Sequence, residues 1–356
     1  MKALVLGYGI SGKAAEKTLK EKGYEVDIAE GYDLVVASPA IVVKSELQLG
    51  VEKLKSRGVK LLAVTGSKGK SSVVKLVAEA LNLSGRKAVA CGNYGLAVCD
   101  VEENCEWAVV EVSSFQLETT SLAPGTFEAA TVLNYQEDHL DRHGSVELYH
   151  SLKRRLLKMA KIAVETCDEA NDAPLLEGSY FDNPVLRSNG CRAIALLRTA
   201  GLKDSEIREA FLKFEPLAHR MNEIGVFRGV KCIDDSKATS LAAMAAAIEM
   251  VTGPVRLIAG GRAKGDNPKI IKELLTKRVK KVYLIGECSN AFFEAWSKDV
   301  DCEICGTLDK AVKSAFKDAV NGETLLLSPG TASYDQFKNY SERGEKFAFW
   351  VKQEGK

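Results

Sequence analysis

The segment Thr65-Gly66-Ser67-Lys68-Gly69-Lys70-Ser71-Ser72 lies directly after the apolar run Leu61 to Val64 and directly before a helix-period segment from Lys70 to about Leu83. A strand, a glycine-rich turn and a helix in that order belong to parallel α/β architecture, in which each strand is returned to the sheet through a crossover helix. Glycines in such a turn let backbone N–H groups curl around a phosphate, and the helix N-terminus adds its positive dipole end. Lys70 would neutralise charge and the Ser71 hydroxyl could ligate magnesium. Only Ser67 and Lys68 separate Gly66 from the Gly69-Lys70 pair, a tighter spacing than the usual G-x-x-x-x-G-K-[S/T] loop. The competing reading is an ordinary strand-to-helix turn carrying surface lysines.

The same alternation of short apolar runs and helix-period segments fills the chain, so the expected class is α/β with parallel sheets. A first domain over 1–59 contains strands at Ala3 to Leu6, Glu25 to Ala29 and Leu34 to Ala37, with helices at Gly12 to Lys22 and Ser45 to Arg57. A central domain over 60–216 has strands at Leu61 to Val64, Trp107 to Glu111 and Ala130 to Leu133. Its later helices are expected at Val146 to Lys158, Arg187 to Ala200 and Asp204 to Phe214. A third domain over 217–356 has strands near Lys231 to Ile233, Val255 to Ala259, Val279 to Ile285 and Leu325 to Leu327. Helices are expected there at Ser240 to Met250, Pro268 to Lys277, Asn290 to Ser297 and Leu308 to Ala319, with a last one from Asp335 to Lys352.

Charge narrows the function. The 49 Lys plus Arg nearly balance 48 Asp plus Glu, for a formal net charge of +1 over 356 residues, which provides no basic face for nucleic acid or anionic membrane. The N-terminus reads as a strand rather than a secretory signal, and no run approaches the roughly 18 to 20 apolar residues of a membrane helix. Nine scattered cysteines in such a chain point to reduced thiols in a cytoplasm. Cys302-Glu303-Ile304-Cys305 is read as ordinary thiols, since a metal or redox site would need a second pair or a nearby His. Small-molecule chemistry is the expectation.

Three further features carry it. Gly7-Tyr8-Gly9-Ile10-Ser11-Gly12 is a G-x-G-x-x-G after the first strand, and Glu30 ends the second strand where a ribose-binding acid would sit. With the Thr65 motif following so soon, too little chain remains for a complete dinucleotide fold, so the turn is read as a diphosphate site for a nucleotide-linked substrate rather than for NAD. Glu111, at the carboxyl end of its strand, can hold magnesium directly or through water. His139, in Asn134-Tyr135-Gln136-Glu137-Asp138-His139-Leu140-Asp141, is a candidate ligand or substrate contact at the end of a neighbouring strand.

Together these elements resemble the Mur ligase family, ATP-dependent amide-forming ligases of peptidoglycan precursor synthesis. Glu111 to Glu118 (EVSSFQLE), Glu137 to Arg142, Leu217 to Met221 (LAHRM), Asp234 to Thr239 (DDSKAT) and Leu327 to Phe337 (LSPGTASYDQF) resemble, in order, segments of its D-glutamate-adding branch. The resemblance implies three domains: a Rossmann-like N-terminal domain, a central P-loop ATPase-type domain and a Rossmann-like C-terminal domain. It also implies a reaction in which ATP phosphorylates the carboxylate of UDP-N-acetylmuramoyl-L-alanine and the D-glutamate amine attacks the acyl phosphate.

By the same pattern Lys70, Asn93, His139, Lys153 and Lys237 serve catalysis, and Ser71, Glu111, His139 and a carbamylated Lys153 hold two magnesium ions. Gly66, Ser67, Lys68, Gly69, Lys70, Ser71, Ser72, Asn189, Arg220 and Asp235 contact ATP, the last two through a hinged closure of the third domain. Gly9, Ile10, Ser11, Gly12, Glu30 and Asn93 hold the UDP substrate, and Thr239, Lys264, Ser333, Tyr334 and Tyr340 hold D-glutamate. Without the resemblance, Lys153 reads as a solvated helix lysine. A monomer acting on small molecules is expected.

The chain departs from the family pattern at Ala29-Glu30-Gly31, where an Asp-Thr-Arg turn is common, at Leu186-Arg187-Ser188-Asn189, which keeps only the second Asn of an adenine motif, and at Lys68. A superfamily ligase with another acceptor or amino acid, such as one like folylpolyglutamate synthetase, remains open, as does a nucleotide-binding protein without ligase activity.

Overall fold

The computed structural model describes residues 1–31, 43–136, 140–263, 265 and 267–356, and divides into two compact units, Met1–Phe214 and Glu215–Lys356. In the first unit, β3 (Lys60–Thr65), β4 (Ala88–Gly92), β5 (Trp107–Glu111), β6 (Phe127–Val132) and β7 (Ala160–Val164) form an all-parallel sheet in the order β4-β5-β3-β6-β7. Alternate residues of β3 enter opposite cores. Leu62 and Val64 pack with Val74, Val77 and Leu81 of the helix Lys70–Leu83, while Leu61 and Ala63 pack with Leu152 and Leu156 of the helix Val146–Lys158. Burial on both faces explains the nearly continuous apolar runs of its central strands.

The first residues form a separate parallel pair, β1 (Lys2–Leu6) with β2 (Glu25–Ala29). Their helix, Ile10–Glu21, packs Ala14 and Ala15 against Leu49, Ala97 and Cys99. Its buried partner Lys53, on the helix Glu46–Ser56, donates to Cys99 O at 3.0 Å, Thr18 Oγ1 at 3.3 Å and Glu21 Oε2 at 3.0 Å. A lysine is tolerated there because each donor direction meets an oxygen. The strand expected at Leu34 to Ala37 lies outside the described residues.

In the second unit, β8 (Asn222–Phe227), β9 (Val230–Asp234), β10 (Val255–Gly260), β11 (Val279–Ile285), β12 (Cys302–Gly306) and β13 (Thr324–Leu327) run β12-β11-β10-β13-β9-β8. Every pairing is parallel except β8 with β9. Leu257, Leu284 and Leu326 face one core, and Ile258, Tyr283 and Leu325 face the other. The α/β class expected from the sequence is the observed one.

Several local expectations need correction. Strands β4, β7, β8 and β12, and the helices Ser114–Thr119 and Glu169–Leu176, were not anticipated. The last helix begins at Tyr340 rather than Asp335, because Ser333 O takes the Gln336 and Phe337 N–H groups into a turn and Asn339 then caps the helix through Glu342 N. Pro268–Ile271 is a 3₁₀ turn leading into a helix, Lys272–Arg278. Cys302 and Cys305 sit on β12 with thiol pKa values pushed up by burial to about 11 and about 12, as suits inert thiols. Among the described residues no group of three potential metal ligands occurs, and no helix is long and apolar enough to cross a membrane.

Candidate active site

The candidate phosphate loop leaves the central strand β3 at the carboxyl edge of the five-stranded sheet, the edge at which open α/β sheets bind ligands. Its backbone requires glycine at two places. Gly66 has φ +147° and Gly69 φ +83°, and a Cβ on Gly69 would stand 2.4 Å from Asn189 Nδ2. Asn134, just beyond β6, fixes the loop from the side: its Oδ1 accepts from Ser67 N at 3.1 Å and Lys68 N at 2.9 Å, and its Nδ2 donates to Lys68 O at 3.0 Å. Ser67 Oγ donates to Gln136 O at 2.6 Å and accepts from the Tyr149 hydroxyl at 3.2 Å. The Lys70 ammonium folds back over the loop, donating to Gly66 O at 2.8 Å and Ser67 O at 3.2 Å. Ser71 and Ser72 are buried in the first turn of the helix.

Glu111 ends β5, the neighbour of β3. Its side chain is 2% exposed; Oε1 accepts from Asn93 Nδ2 at 2.9 Å, while Oε2 is buried without a hydrogen-bond partner among the described residues. The Thr65 hydroxyl nearby in sequence to the loop is likewise buried and unpartnered. A buried carboxylate oxygen left unpaired costs free energy that a cation would recover, so the Glu111 oxygen fits a hard divalent ion. Lys153 is 1% exposed, with Nζ 3.6 Å from the centre of the Tyr149 ring. Its solvated-lysine reading is therefore wrong: the Leu152, Leu156 and Leu157 stripe turns that side of the helix inward, and Lys153 goes with it. His139 lies outside the described residues.

In the N-terminal pair, Gly12 permits a close approach, since a Cβ would meet Gly7 O at 2.0 Å. Gly9 precedes the first helix, Ile10 and Ser11 open it, and Glu30 Oε1 accepts from Tyr8 N at 2.8 Å. The acid thus closes on the glycine turn itself.

The second unit gathers its own cluster at the ends of β9 and β13. Asp235 is buried, accepting from Ser328 Oγ at 2.8 Å and Met221 N at 3.2 Å, and burial raises its pKa to about 7. His219 Nδ1 meets Asp234 Oδ2 at 2.6 Å. His219 and Met221, flanking Arg220, both hold positive φ, of 60° and 49°, a costly conformation that tertiary contacts must enforce. Lys237 Nζ stands 3.7 Å from the Tyr340 ring centre, Thr239 is half-buried, Ser333 is buried and Tyr334 is exposed. Lys264 lies outside the described residues.

Comparison with known proteins shows the family. The family model described as Mur ligase middle domain matches residues 64–176, and the one described as Mur ligase, glutamate ligase domain, matches 219–330. The UDP-N-acetylmuramoylalanine–D-glutamate ligase of Protochlamydia amoebophila is 31% identical, the match covering 99% of this chain and 98% of that protein. The chain belongs to the Mur ligase family. A second relative of that name, from Chlamydia pneumoniae, is 29% identical over 98% of each chain. The first alignment spans 441 positions against 356 residues here, so stretches of that relative have no counterpart in this Mur ligase.

Solved structures share its fold. The MurF ligase from Thermotoga maritima in complex with ADP has a TM-score of 0.65 at 18% identity, covering 99% of this chain and 94% of that one. A pseudomurein peptide ligase type C from Methanothermus fervidus gives 0.61 at 13% identity over all of both chains.

Sequence reasoning left several residues of this Mur ligase without a role: Asn134, Tyr149, His143 and Arg343. Arg343 is fully buried and donates from Nε to Ser236 Oγ at 2.9 Å and from Nη2 to Ser236 O at 2.8 Å and Thr331 O at 3.2 Å. Burial lowers its pKa to about 10, so it remains charged at neutral pH. No local pattern marks it, because its partners are 12 and 107 residues away.

Proposed function

We propose that this Mur ligase adds D-glutamate to UDP-N-acetylmuramoyl-L-alanine with hydrolysis of ATP to ADP and phosphate. The carrying observation is the convergence at one sheet edge of a phosphate loop, a buried carboxylate with an unpaired oxygen and a buried lysine, in a chain aligned end to end with relatives named as D-glutamate ligases. The γ-phosphoryl group passes from ATP to the acceptor carboxylate, releasing ADP and forming an acyl phosphate. The D-glutamate amine then attacks the carbonyl carbon, loses a proton, and the tetrahedral intermediate collapses to an amide and inorganic phosphate. Negative charge concentrated on the phosphates is the main electrostatic burden of both steps.

Loop N–H groups from Gly66 to Ser72 and the Lys70 ammonium are assigned to the phosphates, Asn189 to the base, and Arg220 and Asp235 to the nucleotide. Ser71 and Glu111 would hold one magnesium, and His139 with Lys153, carbamylated so that a cation becomes an anionic ligand, a second; the metal supplies charge neutralisation on the phosphoryl oxygens. Asn93 orients Glu111 and the acceptor. Gly9, Ile10, Ser11, Gly12 and Glu30 are assigned to the UDP moiety, and Lys237, Thr239, Lys264, Ser333, Tyr334 and Tyr340 to D-glutamate. The domain limits of this reading are 1–59, 60–216 and 217–356, and it includes a cytoplasmic monomer.

Phosphate release with ATP, magnesium and UDP-N-acetylmuramoyl-L-alanine, measured with D-glutamate, L-glutamate, L-lysine or diaminopimelate, tests it. Release with D-glutamate alone, and a product of the matching mass, is expected. Release with another amine, or with none, would overturn the assignment.

A further inference from the structure

His143 sits at the end of a short helix, Leu140–His143, one residue beyond the Glu137 to Arg142 segment, and no sequence motif includes it. Its ring is almost fully buried. Nε2 lies 3.0 Å from Ser114 Oγ, and Nδ1 lies 3.0 Å from Glu118 Oε1, off the line of a hydrogen bond. Phe115 stacks on one side, with centroids 5.4 Å apart and planes at 23°, and Tyr149 packs at 5.3 Å. Glu118 is itself held by Arg142 Nη2 at 2.8 Å. Serine, histidine and glutamate in sequence of contact suggest a nucleophile, but the Ser114 side chain is buried and its helix is only six residues long.

The network leads elsewhere. Tyr149, which packs against the His143 ring, donates its hydroxyl to the loop serine Ser67 and places its ring under the Lys153 ammonium. Ser114 follows Glu111 by three residues, so the same imidazole touches the segment leaving β5, the helix bearing Lys153 and, through one tyrosine, the phosphate loop.

We propose that His143 is a positioning residue of the ligation reaction, wedged between Ser114, Glu118 and Tyr149 so as to hold the phosphate-loop serine and Lys153 in one arrangement. This rests on the functional reading above. A buried imidazole with two polar contacts and two ring contacts has little rotamer freedom, and a displacement of even about 1 Å at reacting groups costs up to about a hundredfold in rate.

The test compares the full wild-type chain with His143→Phe, which keeps the ring and removes both nitrogens, and His143→Gln, whose amide can still reach Ser114 Oγ. In the D-glutamate-dependent reaction, His143→Phe should lower kcat about tenfold while the KM for acceptor and D-glutamate moves less than about twofold. His143→Gln should recover much of that loss. ATP affinity, measured separately by calorimetry, should weaken severalfold in His143→Phe, because the Tyr149 to Ser67 bond loses its support. Wild-type kcat and ATP affinity in His143→Phe would overturn the proposal, as would equal losses in both variants that track a fall in folded protein. A wild-type chain without D-glutamate-dependent turnover would sink the functional reading instead, leaving the ATP-affinity comparison to decide on His143.

Discussion

At the scale of single residues, buried groups whose bonding is incomplete separate functional from structural roles. Glu111 has one oxygen paired with Asn93 and one with no partner among the described residues, an arrangement that packing alone would remove. Glu111→Gln should therefore keep or slightly raise thermal stability while reducing turnover at fixed magnesium by at least about tenfold, read from the magnesium dependence of phosphate release. Asp235 makes a different prediction. Its folded pKa is raised by burial to about 7, above the ordinary carboxylate value of 3.8, so the folded chain holds a proton that the unfolded chain has released. Its contribution is full below the lower value and is lost as pH rises through about 7, with a slope of up to about 1.4 kcal/mol per pH unit between them. Asp235→Asn should flatten that part of the profile; urea midpoints from pH 4.5 to 8 that fall equally in both proteins would refute it.

Secondary elements show which parts of the fold were legible in the sequence. The helix Lys70–Leu83 and the strand Trp107–Glu111 match their expected limits, since glycine punctuation bounds the first and a fully buried apolar run defines the second. The four unanticipated strands, β4, β7, β8 and β12, are all sheet edges. An edge strand has one neighbour and partial burial, so residues such as Lys161 and Glu223 interrupt the apolar signal. The glycine turn after β3 and the place of Glu111 at the end of β5 were legible for the same reason, as local patterns. His143, Asn134 and Arg343 were not, because their meaning lies in partners from other elements.

Packing of the last helix also reverses a common expectation. Gly344 lies inside the helix Tyr340–Glu354, where alanine ordinarily stabilises by about 1 kcal/mol. Here a Cβ would stand 2.1 Å from His219 Nδ1 and 2.5 Å from Asp234 Oδ2. Gly344→Ala should cost about 1 to 3 kcal/mol in chemical denaturation, and an unchanged midpoint would contradict this packing. Arg343→Lys should cost a similar amount, about 2 kcal/mol, since an ammonium cannot reproduce the forked donation to Ser236 and Thr331.

For the whole molecule, the second unit carries a six-stranded sheet with apolar cores on both faces, all drawn from residues after Phe214. A fragment of 215–356 should fold alone and unfold cooperatively in circular dichroism; a non-cooperative melt would show that its stability is borrowed from the first unit. The fold-back of Lys70 onto Gly66 and Ser67 carbonyls has a consequence for nucleotide choice. An arriving ligand must win the ammonium from two oxygens of its own loop, and a single terminal phosphate brings less charge to that contest than a polyphosphate chain. On the proposed phosphate role of this loop, that contest would set a threshold on ligand charge and favour nucleotides with the longer phosphate tail.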